Sequence, residues 1–245
     1  MCCWSSKRLW IVALVPPAFW LANLWLAREH RQVFIALTAE DGWIENAQFA
    51  LFCLAAVLAF EIYRRLRQDR VYPWALVYGV VAILLVWVAG EEISWGQRIF
   101  GIGTPELLAD NRQGEMNLHN LPGVMDGISE IADIIVLTTI GLAIGFGWYT
   151  RNLIPESWRP QLWIPHPSLI PAALCHLSFK LARRFYFVDG GGKLISRLQE
   201  PVELILIAAV VLFLLMVLSN TQSDSVESDA VHRAMIGSVP GSGAD

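Results

Sequence analysis

Charge is what this chain has least of. Only 16% of its 245 residues are Asp, Glu, Lys or Arg, against 55% hydrophobic, where an ordinary soluble domain carries roughly 25% charged residues. Such a chain cannot cover a water-facing surface all round, which excludes a soluble enzyme of usual composition. The net charge of −4 is small and partly due to the acidic C-terminal tail, so it indicates neither a nucleic-acid partner nor a polybasic lipid anchor. Cysteine is scarce too. Cys2, Cys3, Cys53 and Cys175 show no CxxC spacing and no loop pairing, so no disulfide framework or cysteine metal site is implied. A phosphate loop is also lacking, because Asp189-Gly190-Gly191-Gly192-Lys193 has neither Walker spacing nor a following Ser or Thr.

What the chain has is apolar blocks. A membrane-crossing helix needs roughly 20 mostly apolar residues, and blocks of that kind lie at about 9–27, 43–63, 73–90, 128–148, 162–181 and 202–218. The expected fold is an all-α integral membrane bundle of six transmembrane helices in one domain over 1–219, followed by a disordered tail over 220–245 rich in Ser, Gly and acids. Pro16-Pro17 interrupt the first block and no small-x-small cleavage site follows it, so it reads as a retained span and not a signal peptide. The fifth block holds Pro165, Pro167, Pro171, His166, His176 and Lys180, and the alternative is five spans plus a re-entrant segment.

Arg64, Arg65, Arg67 and Arg70 form the strongest basic cluster. The positive-inside rule puts that loop and the N-terminus in the cytoplasm of a multi-pass inner (plasma) membrane protein. Taken alone, the basic residues favour five spans. Six spans bring Glu45, Glu91, Glu92, Glu115, Glu130, Asp133, Glu200 and Glu203 near one leaflet, and six is preferred on that ground.

The stretch 89–121 organises the rest. An apolar span runs directly into Glu91-Glu92-Ile93-Ser94-Trp95-Gly96-Gln97, so two carboxylates sit where a helix meets headgroups. Ionisable groups at membrane depth cost about 2.5 to 3.5 kcal/mol on insertion scales and are functional candidates by default. Neighbours on a helix point about 100° apart, so Glu91 and Glu92 cannot both face one site. Glu115 and His119 are four residues apart, the spacing that puts a carboxylate and an imidazole on one helical face.

Glu91, Glu92 and His119 are therefore the catalytic candidates. Glu45, Glu92, Glu115, His119 and Glu203 are the candidate ligands of a divalent metal, with Zn, Mn and Mg all admissible. Plainer readings stand beside these. His119 can serve as a hydrogen-bonding turn residue, carboxylates at a helix start answer the macrodipole, Trp43 and Trp95 fit an aromatic belt, and Gln97 can satisfy a helix end.

The words Glu91-Glu92-Ile93-Ser94-Trp95-Gly96-Gln97 and Asn117-Leu118-His119-Asn120-Leu121, preceded by Glu40-Asp41-Gly42 and Glu45, resemble those of a family of bacterial polytopic inner-membrane proteins with no assigned activity. The resemblance implies a bacterial inner-membrane location and a shared polar site. A looser similarity is to the alkaline ceramidase-like zinc hydrolases, although their paired histidines four residues apart have no counterpart here, as His166 and His176 show.

The functional expectation is an outward-facing carboxylate and histidine site, acting as a metal-dependent hydrolase on a lipid or lipid-linked substrate with the bilayer as its partner. A scaffold or assembly subunit is the alternative. A transporter ranks third, because the span centres are nearly free of charge.

Overall fold

Four helices are long and apolar enough to cross a membrane: Ile11–Glu29, Trp43–Gln68, Tyr72–Glu92 and Gln199–Thr221. They belong to a computed structural model that describes residues 6–39, 42–110, 114, 116–118, 135, 153–186 and 197–237. Helix α1 (Ser6–Glu29) runs unbroken through Pro16 and Pro17. The short α2 (Arg31–Leu37) follows and buries Phe34 completely. Helices α3 (Trp43–Gln68) and α4 (Tyr72–Glu92) form an antiparallel pair. Between them the Val71 N–H closes on Leu66 O at 2.8 Å, and Arg70 takes a left-handed φ of 60°.

Small residues allow the pair to pack closely. Ala55, Ala56 and Ala59 of α3 share one buried cluster with Ala75 and Ala82 of α4, the use of small side chains that replaces a hydrophobic driving force in lipid. After the four-residue α5 (Gln97–Phe100), three single 3₁₀ turns, Glu156–Trp158, Pro160–Leu162 and Pro167–Leu169, lead into α6 (Ile170–Tyr186). The last helix, α7 (Gln199–Gly237), lays Ile207, Val211, Leu214 and Val217 into the α3–α4 cluster. Gln48 near the start of α3 bonds Glu200 at the start of α7, while Leu66 and Val217 share the core farther along. The two helices therefore run parallel.

Two elements differ from the expectation, and a third lies almost wholly outside the described residues. The block at 162–181 is not a helix from its beginning: Leu162 closes a 3₁₀ turn and the α-helix starts only at Ile170. The reason is local, since Pro160 and Pro167 each open a 3₁₀ turn and the His166 side chain caps the second by accepting from the Ser168 N–H at 3.1 Å. Pro171 falls in the first turn of α6, where the missing N–H costs nothing. The block at 128–148 lies outside the described residues except Ile135, which is helical. At the other end, α7 continues through 220–237, where composition suggests disorder; no glycine or proline falls between 220 and 236.

Candidate functional site: a carboxylate centre beside a polar clamp

Helix α4 ends in a strained turn. Ser94, Trp95 and Gly96 succeed one another in left-handed backbone, with φ of 48°, 54° and 76°, a conformation that costs an L-residue about 1–2 kcal/mol. Side-chain bonds hold it. The Trp95 ring folds back over Gly90 and meets Trp87 edge-on at 5.0 Å, and its Nε1 donates to Glu91 Oε1 at 2.8 Å.

The same turn grips the chain around 114–118. The Leu118 N–H donates to Glu91 Oε2 at 2.6 Å, Asn117 Nδ2 donates to Ser94 Oγ at 3.0 Å, and the Met116 N–H donates to Gln97 Oε1. Gln97 Nε2 reaches Thr104 Oγ1 at 3.1 Å and Gly114 O at 3.3 Å. Positions 91, 94 and 97 thus meet 118, 117 and 116 in order, so two words seventeen or more residues apart in sequence are joined in space. Thr104 Oγ1 itself donates to Gly114 O.

Glu91 is 7% exposed with both carboxylate oxygens engaged in this clamp. Glu92, one residue and about 100° further round the helix, is half-buried and makes no hydrogen bond among the described residues. Its electrostatic neighbours are Glu203, Glu200, Glu45 and Glu91, all of its own sign.

The neighbours come from two other helices. Glu45 and Gln48 lie three residues apart on α3, and Glu200 and Glu203 three apart on α7, each pair on one helical face. Glu45 and Glu203 both act on Glu200, as does Arg197, the basic side chain within its reach. Arg197 also donates to Thr38 O at 2.7 Å, which ties the α2 end to the start of α7. Gln199 Nε2 donates to Glu203 Oε1 at 2.5 Å. Gln48 is fully buried between the two helices. Its Nε2 donates to Glu200 O at 2.8 Å, while its Oε1 has no hydrogen-bond partner among the described residues.

Of the residues singled out in the sequence, Glu45, Glu92 and Glu203 share this centre, joined by Glu200, and Glu91 sits beside it in the clamp. Glu115 and His119 lie outside the described residues. Among the described residues no three His, Cys, Asp or Glu side chains are grouped closely enough to hold one metal ion directly. Sequence reasoning missed Gln48, although a glutamine one turn inside an apolar span and on the face of Glu45 is a readable signal. It also took Gln97 for a local helix-end residue, since nothing in the sequence pairs Ser94 and Gln97 with 116–118. No family model, no curated protein and no solved structure is similar to this chain.

Proposed function

We propose that this is a six-span membrane protein whose carboxylate centre faces outward and hydrolyses an ester or amide of a lipid-like substrate with the help of a divalent metal. The observation that carries the reading is the convergence of Glu45, Glu92, Glu200 and Glu203, from three helices, on one end of the bundle. In a scaffold, acids and bases would simply pair. That pattern describes the opposite end, where Glu61 bridges Arg64 at 2.9 Å and Arg65 at 2.8 Å. Among the described residues no cation acts on Glu92, and two like charges 4 Å apart cost about 4 kcal/mol at an effective dielectric of 20.

The centre and the arginines lie twenty residues apart along α3, from Glu45 to Arg65, a rise of about 30 Å that matches the hydrocarbon thickness. The positive-inside rule then supports a cytoplasmic arginine end and an outward carboxylate end.

The packing of Leu162 supports the reading of six crossings. Tyr78 donates its hydroxyl to Leu162 O, and Tyr78 precedes Glu92 by fourteen residues, about 21 Å down the helix. The chain is thus at the outward end at Glu92, near the cytoplasmic end at Leu162, and outward again at Gln199. In this reading one crossing precedes Leu162 and one follows it along α6, which is not itself among the four helices long and apolar enough to span.

The side chains here offer oxygen donors, the chemistry that would suit a hard divalent metal. Glu45, Glu92 and Glu203 are not grouped closely enough to hold one as they stand; drawn together they would hold it, and it would supply positive charge to the acyl oxygen. Glu92 takes a proton from the attacking water and returns it to the leaving oxygen or nitrogen as the acyl bond breaks. Glu91 positions Glu92 by fixing the helix end.

The test is product analysis by mass spectrometry on the full chain in lipid nanodiscs supplied with ester- and amide-linked lipids and divalent metal. Free fatty acid or amine released by the wild type and at least 100-fold less by Glu92→Gln supports the reading. Equal traces from both overturn it.

A further inference from the structure

We infer that the loop after α4, Ile99-Phe100-Gly101-Ile102, is an interfacial anchor: it lies at the boundary between headgroups and acyl chains of the bilayer that α4 crosses, with Ile99, Phe100 and Ile102 against lipid. The inference rests on α4 being a span, and on no reaction or metal.

Ile99 is 75% exposed, Phe100 73% and Ile102 47%, three large apolar side chains within four positions, directly after a polar turn. Apolar surface gathered in this way marks a contact with lipid or with another protein. The loop that carries it is held at its root. Gln97 is buried and bonded to Thr104, to Gly114 O and to the Met116 N–H. The Ile102 N–H returns to Gln97 O at 3.0 Å over a left-handed Gly101, with φ of 62°, which closes the loop on itself next to the end of α4.

Depth and continuity choose the bilayer as the partner. Helix α4 has 21 residues, a length of about 32 Å that matches a hydrocarbon core of about 30 Å, so the turn after Glu92 falls at the boundary. The four residues of α5 add only about 6 Å, and interfacial segments bury their apolar side chains about 5–10 Å into that boundary. Continuity comes from the lipid face of α4. Leu76, Val80, Ile83 and Trp87 recur at helical spacing and are all exposed, as a face turned to lipid requires. Trp87 meets Trp95 edge-on at 5.0 Å. The Phe100 ring lies against Gly96, where a Cβ would meet it at 2.9 Å. The apolar stripe of α4 therefore continues through Trp95 to Phe100, and the left-handed turn at 94–96 is what returns the chain toward it.

The measurement is spin-label accessibility on the full chain in nanodiscs of phosphatidylcholine and phosphatidylglycerol, with Cys2, Cys3, Cys53 and Cys175 replaced by alanine. Labels at Ile99→Cys and Phe100→Cys should collide severalfold more often with oxygen, which concentrates in lipid, than with a nickel chelate, which stays in water. Val80→Cys on the lipid face should show the same preference more strongly, and Arg70→Cys in the loop between spans the reverse. Labels at 99 and 100 that favour the chelate as Arg70 does put the loop in water and overturn the inference. Labels shielded from both reagents mean a protein occupant, a second copy or another segment of this chain, and overturn it too. A Val80 label in water removes the span, and with it the membrane reading as a whole; lipid around Val80 with water around 99 and 100 removes the anchor alone. Wild-type protein gives a check free of substitutions. Photolysis of a phospholipid with a diazirine near the top of its acyl chain should mark Ile99 or Phe100 in the tryptic peptide 99–112, and adducts on α4 without any on that peptide overturn the inference.

Discussion

The Trp95 indole donates to one oxygen of Glu91 at 2.8 Å while the Leu118 N–H donates to the other at 2.6 Å, so both oxygens of this carboxylate are engaged in the turn. Its neighbour Glu92 has the opposite circumstances, with no hydrogen bond among the described residues and four carboxylates around it. Two adjacent, chemically identical residues thus perform different tasks, one tying the turn together and the other facing the polar centre.

That division predicts opposite outcomes for the same substitution. Glutamine at 91 offers one acceptor and one donor where two acceptors are required, so it sets its amide N–H against an existing donor. Glu91→Gln should lower stability by about 1–3 kcal/mol, the cost of leaving a buried partner unsatisfied. Glu92→Gln removes a repelled charge and no hydrogen bond, and should not lower stability while abolishing turnover. Thermal melts of the two variants in the same detergent check this. A Glu92→Gln protein that melts earlier than Glu91→Gln would contradict it.

Gly90 should tolerate no side chain. A Cβ built there meets the Trp95 ring at 2.8 to 2.9 Å, so Gly90→Ala must displace the indole that bonds Glu91. Overpacking of this kind costs about 1–3 kcal/mol, and losing the Trp95 bond adds to it. The expected signs are a lower melting temperature and a changed tryptophan emission. A Gly90→Ala protein with wild-type melting and emission would show that the ring does not rest on Gly90.

These contacts also show what could be read from the chain alone. The apolar blocks carry their own length, so α1, α3, α4 and the apolar part of α7 were legible as helices. The carboxylates could be assigned to one end because helix direction alternates with each crossing. The meeting of 91–97 with 116–118 could not be read, since side-chain bonds between a helix end and an irregular loop follow no period. The break at 160–169 was half legible: its prolines announced an interruption, but only the Tyr78 hydroxyl and the burial of Leu162, at 2% exposed, show that the interruption is packed into the core.

Tyr78→Phe tests that packing. The substitution keeps the ring in the α3–α4–α7 cluster and removes the one hydroxyl that meets Leu162 O. A buried carbonyl left without its donor costs about 1–3 kcal/mol. The loss should localise, with faster hydrogen exchange at 160–164 and unchanged exchange in α3. Uniform destabilisation of α3 and α4 instead would mean that the tyrosine serves the helix pair and not the turn.

The position of Leu162 leads to the last prediction, which concerns topology. If the chain re-enters near the cytoplasmic end at Leu162 and emerges again before Gln199, then Gly191 and Arg70 lie on opposite sides of the membrane. A phosphatase reporter, active only outside, should be active when fused after Gly191 and silent after Arg70, and a fluorescent reporter that folds only in the cytoplasm should give the inverse. The alternative of five spans puts Gly191 on the arginine side. It would also carry Glu200 away from Gln48, to which it is bonded at 2.8 Å; a fluorescent fusion after Gly191 would therefore remove the shared carboxylate centre together with the sixth crossing.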